Sequence, residues 1–141
     1  MKVLIDTNII LDVLSNRKPF VTASKQILRL CEISKINGYT SALSIMNIVY
    51  ILRKELDNKK IKTTIDTLNI ILKIEKLDYQ YLNEAVSLNF DDFEDAVQSI
   101  TAKKIKADYI ITRNCKDFIK SPVPAITPEQ FLKSNILSLH Y

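Results

Sequence analysis

Carboxylates are the groups in this sequence whose placement suggests chemistry. Asp6 ends the apolar run Val3-Leu4-Ile5, where a buried strand would deliver a side chain at its carboxyl end. Asp92 and Asp95 stand three residues apart at the start of a helical pattern, with Asp91 and Glu94 beside them, so the pair shares one helix face. Asn114 and Asp117 follow the β-prone run Tyr109–Thr112 across a short turn. Each placement also has a plainer use. Asp6 and Asp92 are good N-caps, Asp95 would suit the dipole of a first helical turn, and Thr112-Arg113-Asn114 is ordinary turn chemistry. Taken together they point further. Carboxylates brought within a few ångströms repel and force one another to protonate. A hard divalent cation removes that penalty, and Mg²⁺ or Mn²⁺ prefers oxygen ligands. Such an ion lowers the pKa of a bound water and clamps a phosphate for in-line attack.

Other chemistries are excluded by what is scarce. The sole glycine, Gly38, cannot supply a phosphate-cradling loop or a dinucleotide turn. The sole histidine, His140, lies one residue from the end of the sequence, a poor place for the base of a Ser-His-Asp or Cys-His site. Cys31 and Cys115 form no CxxC pair and suggest neither a zinc site nor a disulfide. Twenty basic residues against sixteen acidic ones give a net charge of +4. If four carboxylates are committed to a metal, twelve acids remain against twenty cations, a balance that suits a polyanion such as a nucleic acid. No apolar stretch approaches the roughly 18 residues of a membrane span, and the opening run is too short for a signal peptide. A cytoplasmic protein with no membrane partner is expected.

The 141 residues suit one domain over 1–141. Strands are expected at Lys2–Ile5, Tyr39–Ala42, Ile74–Leu77, Tyr109–Thr112 and Ala125-Ile126. Between them the pattern predicts helices over Asn8–Leu14, from about Pro19 to a glycine stop at Asn37-Gly38, and over Ser44–Leu56 and Lys60–Leu72. Two more are expected at Tyr79–Leu88 and Asp92–Lys104, and a last one begins at the capping box Thr127-Pro128-Glu129-Gln130. Strands alternating with helices mean an α/β fold with a parallel sheet covered on both faces. Sites in such sheets form outside the carboxyl ends of the strands, where the acids cluster.

The ordered set of motifs resembles the PIN (PilT N-terminus) domain family, which includes VapC-type toxins and related metal-dependent ribonucleases. The resemblance rests on Val3-Leu4-Ile5-Asp6-Thr7-Asn8, Thr40-Ser41-Ala42 leading into a helix, Asp95-Ala96 within Asp91–Gln98, and Ala107 to Asn114 with Asp117-Phe118. These matches cover nearly the whole chain. The resemblance implies a three-layer α/β/α fold with a short central parallel sheet of about four to five strands. It implies a ribonuclease in which Asp6, Asp95 and Asp117, with Asp92, bind Mg²⁺ or Mn²⁺, while Asn8, Asn47, Thr112, Arg113 and Asn114 line the pocket. Products with a 5′-phosphate and a 3′-hydroxyl would follow.

Two positions depart from the family pattern. Asn47 stands where many members have a glutamate, and Asn114 where many have an aspartate. An amide oxygen can coordinate or orient water but brings no charge. The alternative reading is therefore a weakly active or inactive RNA-binding module; an α/β domain unrelated to nucleic acid is the remaining one. Lys116 and Lys120, and also Arg17 and Lys18, are candidates for the RNA backbone. Tyr39, Tyr50, Phe90 and Phe118 can stack on bases, although aromatic side chains more often pack in a core. The resemblance further implies a homodimer and a small antitoxin whose helix lies in an apolar groove.

Overall fold

A computed structural model describes residues 1–134, and His140 lies outside them. Its centre is β1 (Lys2–Ile5), whose Val3, Leu4 and Ile5 are fully buried, as a parallel strand covered on both faces requires. The other strands are β2 (Asn37–Ser41), β3 (Lys73–Glu75), β4 (Tyr109–Ile111) and β5 (Ala125–Ile126). All pair in parallel in the order β3-β2-β1-β4-β5, with Leu4 opposite Tyr39 on one side and Ile110 on the other. Five strands thus make the short sheet that the α/β reading expected.

Alternation along the strands separates two cores. Val3, Ile5 and Ile111 face helices α1 (Thr7–Leu14), α2 (Val21–Glu32), α3 (Ala42–Leu52), α4 (Asn58–Ile71) and α7 (Pro128–Lys133). Leu4 and Ile110 face the opposite layer, which holds α6 (Phe93–Lys104) and the 3₁₀ turn Cys115–Phe118. There α6 packs against α5 (Tyr79–Val86) through Ala85, Ala96, Val97 and Ile100. The three-layer α/β/α arrangement follows. The strand order reverses direction at β1 and β4, so a crevice opens at their carboxyl ends. Among the described residues no helix is long and apolar enough to cross a membrane.

Aspartates start most of these helices. Asp6, Asp57, Asp78 and Asp92 are the N-caps of α1, α4, α5 and α6, each accepting a backbone N–H within the first turn, and Thr127 forms the expected capping box on α7. Several boundaries differ from the sequence reading. Ser41 caps α3 and starts it at Ala42, and the helix ends at Leu52 rather than Leu56. Asp57 likewise starts α4 at Asn58. The edge strand β3 is shifted toward Lys73, in register with Tyr39.

Gly38 is the clearest correction. Helix α2 stops before it, and Ser34 takes the left-handed conformation at φ 60°. Gly38 instead lies buried within β2, where an added Cβ would meet Cys31 Sγ at 2.4 Å and Leu72 Cδ2 at 2.7 Å. The glycine serves close packing of helix against strand. Gly38→Ala should therefore destabilise the chain by about 1–3 kcal/mol in urea unfolding. Combining it with Cys31→Ala should recover part of that loss, and strict additivity of the two costs would refute the overpacking account.

Candidate metal and phosphodiester site

Asp6 leaves the end of β1 into the crevice and is 8% exposed. Its Oδ1 accepts the Thr7 amide at 2.8 Å and its Oδ2 accepts the Thr112 hydroxyl at 2.8 Å. Burial pushes this carboxyl up, opposed by those two bonds, by Gln98 and by the charge of Arg113. Thr112 is fully buried and also accepts the Asn114 amide at 3.1 Å. The same hydroxyl therefore holds the end of β1 and starts the turn that carries Asn114 and Asp117.

Helix α6 delivers the second group. Asp92 caps it by accepting the Asp95 amide at 3.2 Å. Asp6, Asn8, Asn47, Asp92, Glu94, Asp95, Gln98, Asn114 and Asp117 all line one cleft of about 450 Å³. Asp95 feels the crowding most. Its carboxyl is pushed up to about 7, first by burial and then by Asp92, Asp6, Asp117 and Glu94. Capping and site chemistry can coexist at Asp6 and Asp92, because each carboxylate oxygen carries more than one lone pair and a single hydrogen bond does not use them all.

The donor set fits a hard cation: five carboxylates and three asparagine side chains, with no sulfur or imidazole on the cleft wall among the described residues. The buried Asn8 Oδ1 has no hydrogen-bond partner among the described residues, as an oxygen available to a cation or its water would be. The carboxylates are not closed down on one point, however. Among the described residues no three such side chains are gathered as a ready metal cage. The expected four ligands Asp6, Asp92, Asp95 and Asp117 share a cleft but are not at coordinating distance, and mutual repulsion opposes closer approach.

Arg113 does not line this cleft. Its Nε lies 2.9 Å from Oδ2 of Asp12, a fully buried side chain on α1, and its guanidinium sits 4.0 Å from the centre of the Phe20 ring. The buried carboxylate draws the arginine to the far side of α1, where an unpaired Asp12 would be costly. Thr112 also stays beneath the cleft wall, acting through Asp6. Lys116 and Lys120 line an adjoining cleft of about 410 Å³ with Phe90 and Asp91, and the two clefts share Asp92, Asp95 and Asp117. The Lys120 ammonium donates to the Asn89 carbonyl at 2.7 Å. The departure at Asn47 has a counterpart. Its amide donates to Glu94 at 3.2 Å, so a carboxylate comes from α6 where α3 brings none.

A buried polar network beneath the acids escaped the sequence reading. Ser41 Oγ donates to Gln98 Oε1 at 2.6 Å, Gln98 Nε2 donates to Ser44 Oγ at 2.6 Å, and Thr7 Oγ1 donates to Ser44 Oγ at 2.7 Å. It joins α1, α3 and α6 directly below Asp6. The signal was Gln98 standing among the apolar Ala96, Val97 and Ile100 of one helix. Neither cysteine is activated. Burial pushes the Cys31 thiol up to about 12 and raises that of Cys115.

Two outcomes follow from this geometry. Asp95 ionises near its ordinary 3.8 when unfolded and near 7 when folded, so the folded chain holds the extra proton between those values and stability falls as pH rises across them. Asp95→Asn should raise the thermal midpoint in EDTA at pH values above 7, with the gain shrinking toward pH 4; a gain independent of pH would overturn the account of Asp95 as raised by burial and crowding. Gln98→Leu should cost about 2 kcal/mol in urea unfolding, because the Ser41 and Ser44 hydroxyls lose their buried partner.

The PIN domain family profile matches residues 2–116. Ribonuclease VapC1 of Aquifex aeolicus (strain VF5) is 31% identical over 135 residues, covering 92% of each chain. Among solved structures, a toxin–antitoxin complex from Klebsiella pneumoniae aligns with a TM-score of 0.69 at 26% identity, covering 89% of this chain and 97% of that one. FitAcB from Neisseria gonorrhoeae aligns at 0.67 and 20% identity over 90% and 98% of the two chains, a likeness of fold. With the profile spanning most of the chain, the relative matching along nearly its full length, and the acids collected at the ends of β1, β4 and the start of α6, this chain belongs to the PIN domain family.

Proposed function

We propose that the chain is a divalent-metal-dependent endoribonuclease acting as the toxin of a toxin–antitoxin pair. The observation that carries this reading is the meeting of Asp6, Asp92, Glu94, Asp95 and Asp117 in one cleft, where burial and then these neighbours push Asp95 up to about 7. Asp6 and Asp95, with Asp117 and Asp92, would hold Mg²⁺ or Mn²⁺, displacing the proton that Asp95 otherwise keeps. When bound, such an ion supplies an activated water and neutralises charge on a phosphodiester. The chain's own residues do the positioning. Thr112 and the Thr7 amide fix both oxygens of Asp6, Asn114 and Asn8 present polar side chains to the cleft, and Lys116 and Lys120 offer cations to the backbone on the adjoining side.

The relative at 31% identity is a ribonuclease, and the Klebsiella pneumoniae structure at 26% identity is a toxin–antitoxin complex. These support RNA as substrate and an antitoxin as inhibitor; a homodimer and a cytoplasmic setting are part of the same proposal. The reading of a weakly active RNA-binding module draws on the uncharged Asn47 and Asn114. Glu94, hydrogen-bonded to Asn47, counts against it by supplying a carboxylate to the same wall.

The test is cleavage of a mixed single-stranded RNA pool by the purified chain in Mn²⁺, Mg²⁺ and EDTA. Cleavage should require metal and fall at least about a hundredfold in Asp6→Asn and Asp95→Asn. A folded protein that binds Mn²⁺ yet cuts nothing would establish the binding module instead.

A further inference from the structure

Helix α3 turns Asn47 and Ile51 into the carboxylate cleft and sets Tyr50 on its rim. Tyr50 lines the same cleft as Asp6, Asp95 and Asp117, yet 71% of it is exposed. Of the four aromatics that could stack on bases, Phe118 is buried in the core and Tyr39 packs against it, held between Lys2 and Lys73. Phe90 is half-buried in the adjoining cleft with Lys116 and Lys120. Tyr50 alone of these stands open. The Lys54 ammonium lies 5.7 Å from its ring centre, just past the end of α3. A lone exposed aromatic is ordinary on a protein surface; an open ring on the wall of an acidic cleft, with a cation beside it, is a different environment.

The electrostatics of the cleft make this placement useful. Because the two clefts share Asp92, Asp95 and Asp117, they form one groove with Tyr50 and Lys54 at one end and Lys116 and Lys120 at the other. A polyanionic strand lying along it must cross six carboxylates that repel its phosphates. Cations at the two ends offset part of that repulsion. Stacking of a base on an aromatic face adds attraction indifferent to the sign of the charge beneath. We propose that Tyr50 is a stacking platform for an unpaired nucleobase of the bound strand, with Lys54 at the neighbouring phosphate. The platform engages an unpaired segment, since a base inside a duplex has no free face to offer. This rests on the ribonuclease reading above.

Tyr50→Trp tests the platform directly, because the sequence contains no other tryptophan. Its fluorescence should be quenched by a short oligouridylate in Mg²⁺ and not by an abasic ribose-phosphate oligomer of equal length; equal responses to the two would overturn the proposal. In cleavage of single-stranded RNA, Tyr50→Ala should raise KM about five- to a hundredfold. The loss should fall on KM rather than kcat, and Tyr50→Phe should restore KM, since a ring is all that stacking needs. An unchanged KM in Tyr50→Ala would refute the platform, as would a changed sedimentation coefficient of that variant without RNA, which would place the ring in a contact between copies. A wild-type chain that cuts no RNA while the quench persists would refute the nuclease reading and leave the platform standing.

Discussion

Withdrawing the Asp6 carboxylate from water costs several kcal/mol unless both of its oxygens are met, and the way they are met organises this end of the sheet. One oxygen caps α1 through the Thr7 amide, and the other takes the Thr112 hydroxyl from the end of β4. The pairing of Ile5 with Ile111 brings those two strand ends side by side. Thr112 in turn accepts the Asn114 amide, so the turn bearing Asp117 hangs from the same hydroxyl. Beneath Asp6, the Thr7, Ser44, Gln98 and Ser41 network joins three helices without leaving its side-chain groups unpartnered. A fully satisfied buried network of this kind rigidifies what it supports.

Above that support the chain tolerates repulsion. Burial first, and then the neighbouring Asp92, Asp6, Asp117 and Glu94, push the Asp95 carboxyl up to about 7. In stability terms the arrangement is unfavourable, and a cluster of carboxylates disperses in the absence of a compensating charge. Functional sites are where such costs are retained. The cations that would offset them lie at the two ends of the groove, as Lys54 on one side and Lys116 and Lys120 on the other, where they meet a strand rather than the acids.

A second ionic tie faces away from the groove. Asp12, fully buried on α1, pairs with Arg113 and accepts the Ser24 hydroxyl at 3.2 Å. Helix α1 is thus fastened at its start by Asp6 to Thr112 and within its last turn by Asp12 to Arg113, two adjacent residues after β4. The chain bends at Arg113 just after the strand, and one helix is held through both neighbours.

Much of the site is legible in the order of the residues alone. An aspartate directly after a buried strand, two more on one helix face, and a fourth after the last clear strand are read from short-range pattern, because strand ends and helix faces depend on period alone. The parallel three-layer fold follows from alternating elements. Local pattern does not report which way a side chain turns when two environments compete for it. Arg113 lies beside Thr112 in sequence, yet the buried Asp12 claims it. Gly38 reads as a helix stop, yet the Cys31 and Leu72 side chains need its missing Cβ. Asn47 taken by itself leaves the cleft a charge short, yet Glu94 comes to it from another helix. Sequence by itself determined that Asp6, Asp92, Asp95 and Asp117 reach the crevice. Tertiary structure decided which of them face one another, because partners distant along the chain meet only when the layers close and desolvation makes every unpaired polar group costly.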